Sequence, residues 1–111
     1  MVDELFKIVA ELDPALELKY NKFYIGVARH GQPNNFVDFR PQKNALVFEV
    51  GLKQSDEVQA KIDESCVDTQ AYSRWGCYRL RLKKQDLQKH TTFLRDLIKL
   101  AFDSSGLATG S

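Results

Sequence analysis

Phe23-Tyr24-Ile25-Gly26-Val27-Ala28-Arg29, then Phe36-Val37-Asp38-Phe39-Arg40, then Ala45-Leu46-Val47-Phe48-Glu49-Val50-Gly51-Leu52-Lys53: these three runs decide the fold. Each is rich in β-branched and aromatic residues and short enough to be a strand. Between the first two, His30-Gly31-Gln32-Pro33-Asn34-Asn35 supplies the residue types that loops use. Pro41 ends the second run, because it has no N–H to give to a ladder. Lys43-Asn44 reads as a two-residue turn, with Asn tolerating a positive φ. The three runs therefore predict an antiparallel meander.

Strand alternation then sorts the side chains. Leu46, Phe48, Val50 and Leu52 share one face, and with them Phe23, Ile25, Val27, Val37 and Phe39; this is the predicted core face. The other face carries Tyr24, Gly26, Ala28, Phe36, Asp38, Arg40, Val47, Glu49 and Lys53. Tyr24, Phe36 and Val47 are there either scattered apolar residues or an apolar patch for a protein partner or a second copy of the chain.

On the N-terminal side, Asp3 is placed to cap a helix in which Leu5, Phe6, Ile8, Val9 and Leu12 recur at helical spacing; Asp13-Pro14 stops it. Leu16-Glu17-Leu18-Lys19-Tyr20 alternates with Leu16, Leu18 and Tyr20 inward. It is either a separate strand, turned into the meander at Asn21-Lys22, or the lead-in to one long strand.

On the C-terminal side, Ser55 followed by Asp56 and Glu57 marks a helix start, and Val58, Ala60, Ile62 and Cys66 give it a short apolar side. A loop over 67–76 contains Tyr72, Arg74 and Trp75. Cys77 to Lys83 alternates strictly: Tyr78, Leu80 and Leu82 one way, Arg79, Arg81 and Lys83 the other. Three like charges on one strand face must be wet, paired with carboxylates, or offered to an anionic ligand. A last helix is predicted from Gln85 to Phe102, with Leu87, Leu94, Leu97, Ile98 and Ala101 buried, and residues 104–111 form a small polar tail.

The predicted architecture is a single α+β domain over residues 1–103. It is a two-layer sandwich of order α-β-β-β-α-β-α, with a mainly antiparallel sheet of four to five strands and helices on one face. The length, 111 residues, suits one domain, and 43% hydrophobic with 28% charged residues suits a packed core and a solvated surface. No apolar run approaches a membrane span and no signal peptide is visible, so a cytoplasmic setting is the default. The net charge of +1 is unevenly spread. Residues 1–71 hold eight Lys/Arg against twelve Asp/Glu, and residues 72–111 hold eight against three. That asymmetry points to an anionic partner.

Chemistry-bearing motifs are scarce. Asp38 and Glu49 fall on adjacent strands and the same face, as in a D…ExK nuclease, but Gly51 stands where the lysine belongs. Charged cross-strand pairs such as Arg40 with Glu49 are the plainer reading. Neither His30 nor His90 lies beside a Ser, Cys or Asp in a way that suggests a catalytic triad. Cys66 and Cys77 make no CxxC pair and are read as small buried hydrophobes, although both flank the loop. No glycine-rich phosphate loop, metal-ligand set or cofactor motif is present, and no catalytic residue is assigned. Trp75 beside Arg74, Arg79 and Arg81 is either a core-edge plug or an aromatic that stacks a base while the arginines neutralise phosphate. The candidate binding residues are Arg74, Trp75, Arg79, Arg81, Lys83 and Arg40.

Phe23-Tyr24-Ile25-Gly26, the run Asn35-Phe36-Val37-Asp38-Phe39-Arg40-Pro41-Gln42-Lys43-Asn44-Ala45-Leu46, Arg74-Trp75-Gly76 and the closing Leu97-Ile98-Lys99-Leu100-Ala101-Phe102 resemble the domain of unknown function 5655 family, also described as "predicted transport protein". The resemblance covers roughly residues 20–102, and Cys66 to Ser73 departs from the pattern. It implies a C-terminal accessory module of larger bacterial chains of restriction or defence type. It supplies no catalytic residues. Nothing membrane-like in the chain supports transport. The expectation is a non-catalytic binding domain for nucleic acid or another anionic partner, with a protein partner, parent-chain domains or homodimerisation as the rival.

Overall fold

The computed structural model describes residues 2–34, 36–74 and 76–104. The chain begins with helix α1 (Val2–Leu12), which turns its Leu5, Ile8 and Val9 inward. The Asp13 carboxylate accepts the Ala15 N–H and also pairs with Arg29 at 3.1 Å, so the exit from α1 is tied to the sheet. Strands β1 (Leu16–Tyr20) and β2 (Ile25–Arg29) then form a hairpin, in which Tyr20 is opposite Ile25 and Leu16 opposite Arg29. Of the two readings of Leu16 to Tyr20, the separate strand is the one adopted. The turn centres on Lys22-Phe23, one residue later than Asn21-Lys22. Phe23 therefore stands 76% exposed at the tip and Tyr20 is 71% exposed, so neither joins the core. The Lys22 ammonium lies 5.4 Å from the centre of the Phe23 ring.

The segment read as a loop from His30 to Asn35 is tighter than expected. His30 and Gly31 both take positive φ, 52° and 79°, so two residues suffice to reverse the chain. Strand β3 (Gln32–Pro33) then pairs back on β2. Ala28 faces Pro33, yet Ile25, three residues back, faces Phe39, six residues on. Three extra residues are thus absorbed before strand β4 (Val37–Pro41) settles into register. Phe36 lies in that slip, outside the alternation. It turns to the helix side and packs edge-on against Phe102, ring centres 5.6 Å apart. This corrects its assignment to the open face.

Strand β5 (Leu46–Gly51) is in full antiparallel register with β4 around a Lys43-Asn44 turn that needs no positive φ. Gly51 relieves a tight approach there: a Cβ would meet the Phe36 carbonyl oxygen at 3.1 Å. Helix α2 (Asp56–Ser65) starts as predicted, with the Ser55 hydroxyl accepting the Val58 N–H at 3.1 Å. It ends on Cys66 at φ 59°, and Cys66 is exposed, contrary to the buried reading. A short strand β6 (Asp68–Gln70), not foreseen, pairs with β7 (Cys77–Leu82). Lys83 lies one residue past the end of β7, exposed, and precedes helix α3 (Lys84–Lys89). The predicted last helix is broken at His90 into α3 and α4 (Thr91–Ser104). The Thr91 hydroxyl donates to the Leu87 carbonyl at 2.7 Å, a back-bond that bends helices. Ser104 belongs to α4, and the rest of the expected tail lies outside the described residues.

All strands join one antiparallel sheet of order β1-β2-β4-β5-β7-β6, with β3 on β2. Leu5, Val9, Val58, Ile62, Leu87, Leu94 and Ile98 of the helices share one core with Val27, Val37, Phe39, Leu46, Phe48, Val50 and Leu80 of the sheet. The helices therefore cover one face of an α+β two-layer sandwich. Phe39 and Phe48 stack at its centre, 5.4 Å apart. Among the described residues no helix is long and apolar enough to cross a membrane.

Candidate functional site

The helix-free face is where the sheet places its charge. Register decides which groups meet. Asp38 on β4 is directly opposite Glu49 on β5, and Glu49 is directly opposite Arg79 on β7. Two residues along, on the same face, Arg40 faces Val47 and Val47 faces Arg81, which in turn faces Asp68 on β6. The result is a checkerboard of three acids and three arginines around one valine, with Asp38 and Glu49 at its centre and Asp68 at its edge.

The acids form the floor. Asp38 and Glu49 are only 8% and 6% exposed although no helix lies over them. Glu49 Oε1 lies 3.0 Å from the Arg40 Nε and 3.2 Å from the Arg79 Nε, ion-pair contacts in which neither Nε–H makes a hydrogen bond of good geometry. Arg40 also reaches Asp38 Oδ1, more loosely, at 3.8 Å. Val47 is 1% exposed between Arg40 and Arg81, whose long stems flank it. The guanidinium groups form the rim. The side chains of Arg40, Arg79 and Arg81 each keep roughly a third of their surface in solvent. Tyr24 extends the rim, its ring centre 5.3 Å from the Arg40 guanidinium carbon. Arg81 meets Asp68 at 3.8 Å, an exposed contact of small worth.

Electrostatics follow from this burial. Burial first, and the opposing Glu49 charge second, push the Asp38 carboxyl up to about 7, with Arg40 pulling the other way. Near neutral pH the pair thus carries less than two negative charges against Arg40 and Arg79. Cys77 lies beside the cluster at the end of β7, and burial, then the Glu49 and Asp38 charges, raise its thiol. This thiol is therefore poorly suited to act as a thiolate.

The candidate residues are partly gathered. Arg40, Arg79 and Arg81 share the face. Lys83 is exposed beyond the strand end and Arg74 is exposed in the loop before β7. Trp75 lies outside the described residues. Tyr24, Phe36 and Val47 do not form an exposed apolar patch: Phe36 is in the core, Val47 is buried between arginines, and Tyr24 is half-buried against Arg40. The cross-strand pairing of Arg40 with Glu49 is as read from the sequence. What that reading missed is that Glu49 serves two arginines and that Asp38 is held with it. The shared parity of Asp38, Arg40, Glu49, Arg79 and Arg81 was the available signal. Asp68 had none, because β6 is three residues long.

At the far end of the sheet two tyrosines fasten the loops. Tyr72 donates to the Leu52 carbonyl at 2.6 Å, and the Tyr78 oxygen accepts the Ser55 N–H at 2.8 Å. Their rings meet edge-on at 4.9 Å. They hold the start of β7, and with it Arg79, against the β5–α2 connection. Among the described residues no group of three or more His, Cys, Asp or Glu is arranged to hold a metal ion.

Neither the curated proteins nor the solved structures contain a match to this chain. A protein-family model, described as "Domain of unknown function (DUF5655)", matches residues 1–105. With nearly its whole length covered, the chain belongs to the DUF5655 family.

Proposed function

We propose that this domain is a non-catalytic binding module that receives an anionic partner, nucleic acid foremost, on its helix-free sheet face. One observation carries the reading. A single buried carboxylate, Glu49, ion-pairs with two guanidinium groups, Arg40 and Arg79, while part of each stays in solvent on an uncovered face. Arginines fixed in this way have already lost rotamer freedom, so a phosphate that binds them meets a smaller ordering cost. The raised Asp38 carboxyl adds to this, because a half-neutralised floor leaves the rim net positive. Arg81 widens the rim, the exposed Arg74 and Lys83 extend it at the β7 ends, and Trp75 is proposed with them from the sequence alone. Within the proposal the domain is a cytoplasmic accessory module, joined to restriction- or defence-type domains in a larger bacterial chain.

Fluorescence anisotropy with labelled single- and double-stranded DNA and RNA across a salt series tests this. Affinity should fall with salt. If each of three arginines neutralises one phosphate, the log–log slope on a duplex is about −2.7. Arg79→Gln/Arg81→Gln, checked for folding by circular dichroism, should flatten that slope. Absence of binding at low salt for every nucleic acid would remove the reading.

A further inference from the structure

We propose that two copies of the chain pair antiparallel through the outer edges of β1, about a twofold axis at Leu18. Strand β1 ends the sheet, and its five residues pair with β2 without a bulge. The Asn21 N–H donates to the Tyr24 carbonyl at 2.9 Å, which fixes the alternation. Residues 17, 19 and 21 turn their backbone groups to β2, and Leu16, Leu18 and Tyr20 turn theirs outward. The Leu16 N–H is already used, at 3.1 Å from the Asp13 carbonyl. Full donor–acceptor sets at Leu18 and Tyr20 remain along the edge, while Leu16 is only 4% exposed.

The sequence of this edge is complementary to itself. With Leu18 opposite the partner's Leu18, Leu16 falls opposite the partner's Tyr20, and Glu17 falls opposite the partner's Lys19. Symmetry repeats both pairings. Leu18 exchanges two hydrogen bonds with the partner's Leu18. These two backbone bonds sit on the dyad. The two Glu–Lys pairs fall at the non-hydrogen-bonded positions, where side chains lie closest. Both residues are exposed in the single chain, as is Tyr20. A lone edge lysine ordinarily wards off strand pairing. Here its counter-charge stands two residues away on the same face, in the register that the dyad needs. The opposite sheet edge, β6, has three residues and offers no comparable run. The contact is therefore isologous and closes at two copies. It continues the sheet across the axis, so two arginine clusters share one extended face.

Sedimentation velocity of the full chain from about 10 µM to 1 mM tests the contact, a range suited to a small interface. The wild type should dimerise within it. Glu17→Lys alone and Lys19→Glu alone should each raise the dimer Kd about tenfold or more, because two attractive pairs become repulsive. The double variant should recover wild-type association, and the two single variants should associate with each other when mixed. A wild type that stays monomeric throughout, or a dimer indifferent to both single changes, overturns the proposal.

Discussion

Replacing Asp38 by asparagine keeps the size of the side chain and removes its ability to ionise. The buried Asp38 carboxyl rises from an ordinary value of 3.8 to about 7. Between these limits the folded protein holds a proton that the unfolded chain has released. Stability therefore falls as pH rises from about 4 to about 7, and is level above that. The rise is roughly three pH units, and each unit corresponds to about 1.4 kcal/mol. The ceiling is thus about 4 kcal/mol. Arg40 and Arg79 beside the pair, and water at the rim, bring the expected figure nearer to about 2 kcal/mol. Asparagine is neutral throughout, so Asp38→Asn lacks this loss. Urea denaturation of both proteins at pH steps from 4 to 8 gives the measurement. The variant should gain on the wild type by about 2 kcal/mol between pH 4 and pH 8, most of it before pH 7. Any constant offset reflects the different hydrogen bonding of the amide and is subtracted. Parallel stability curves, or a variant that loses ground as pH rises, would refute the account of the buried acid pair.

Other consequences are simpler to check. Glu49→Gln leaves two half-buried guanidinium groups without their shared carboxylate, and should cost about 3 kcal/mol in denaturant unfolding. Ser55→Ala removes the oxygen that accepts the Val58 N–H and should lower stability by about 1 kcal/mol, without altering the spectrum of the folded state. Gly51→Ala forces a methyl against the Phe36 carbonyl oxygen. A loss of about 1 to 3 kcal/mol is expected, with NMR shifts concentrated around Phe36 and Phe102.

Much of this fold is legible in the residues themselves. Tyr78, Leu80 and Leu82 alternate with Arg79 and Arg81 so regularly that β7 and both its faces follow directly. Leu46, Phe48 and Val50 do the same for the core face of β5, and Ser55 marks α2. The departures have local causes. Alternation places Phe36 on the open face, but a three-residue slip between β3 and β4 lies between it and the ladder. His30 and Gly31 close a two-residue turn only because both adopt positive φ, which sequence allows for glycine and does not reveal for histidine. Phe23 and Tyr20 have the right parity for the core, yet they lie at the end of an edge hairpin, beyond the reach of the helices. The helix break at His90 rests on the back-bond of Thr91. At the site, parity gathers Asp38, Arg40, Glu49, Arg79 and Arg81 on one face. Their burial is a property of arginine stems lying across neighbouring strands, and strand periodicity carries no information about it.

The central claim is that the arginines held over Glu49 receive an anionic partner. Arginine Nε–Hε signals, followed by NMR while an unlabelled DNA or RNA oligonucleotide is added to the full chain at low salt, test it most directly. The account predicts that Arg40, Arg79 and Arg81 shift together, in one saturable process reversed by salt. Shifts confined to Arg29 and Arg95, or none at all, would contradict it.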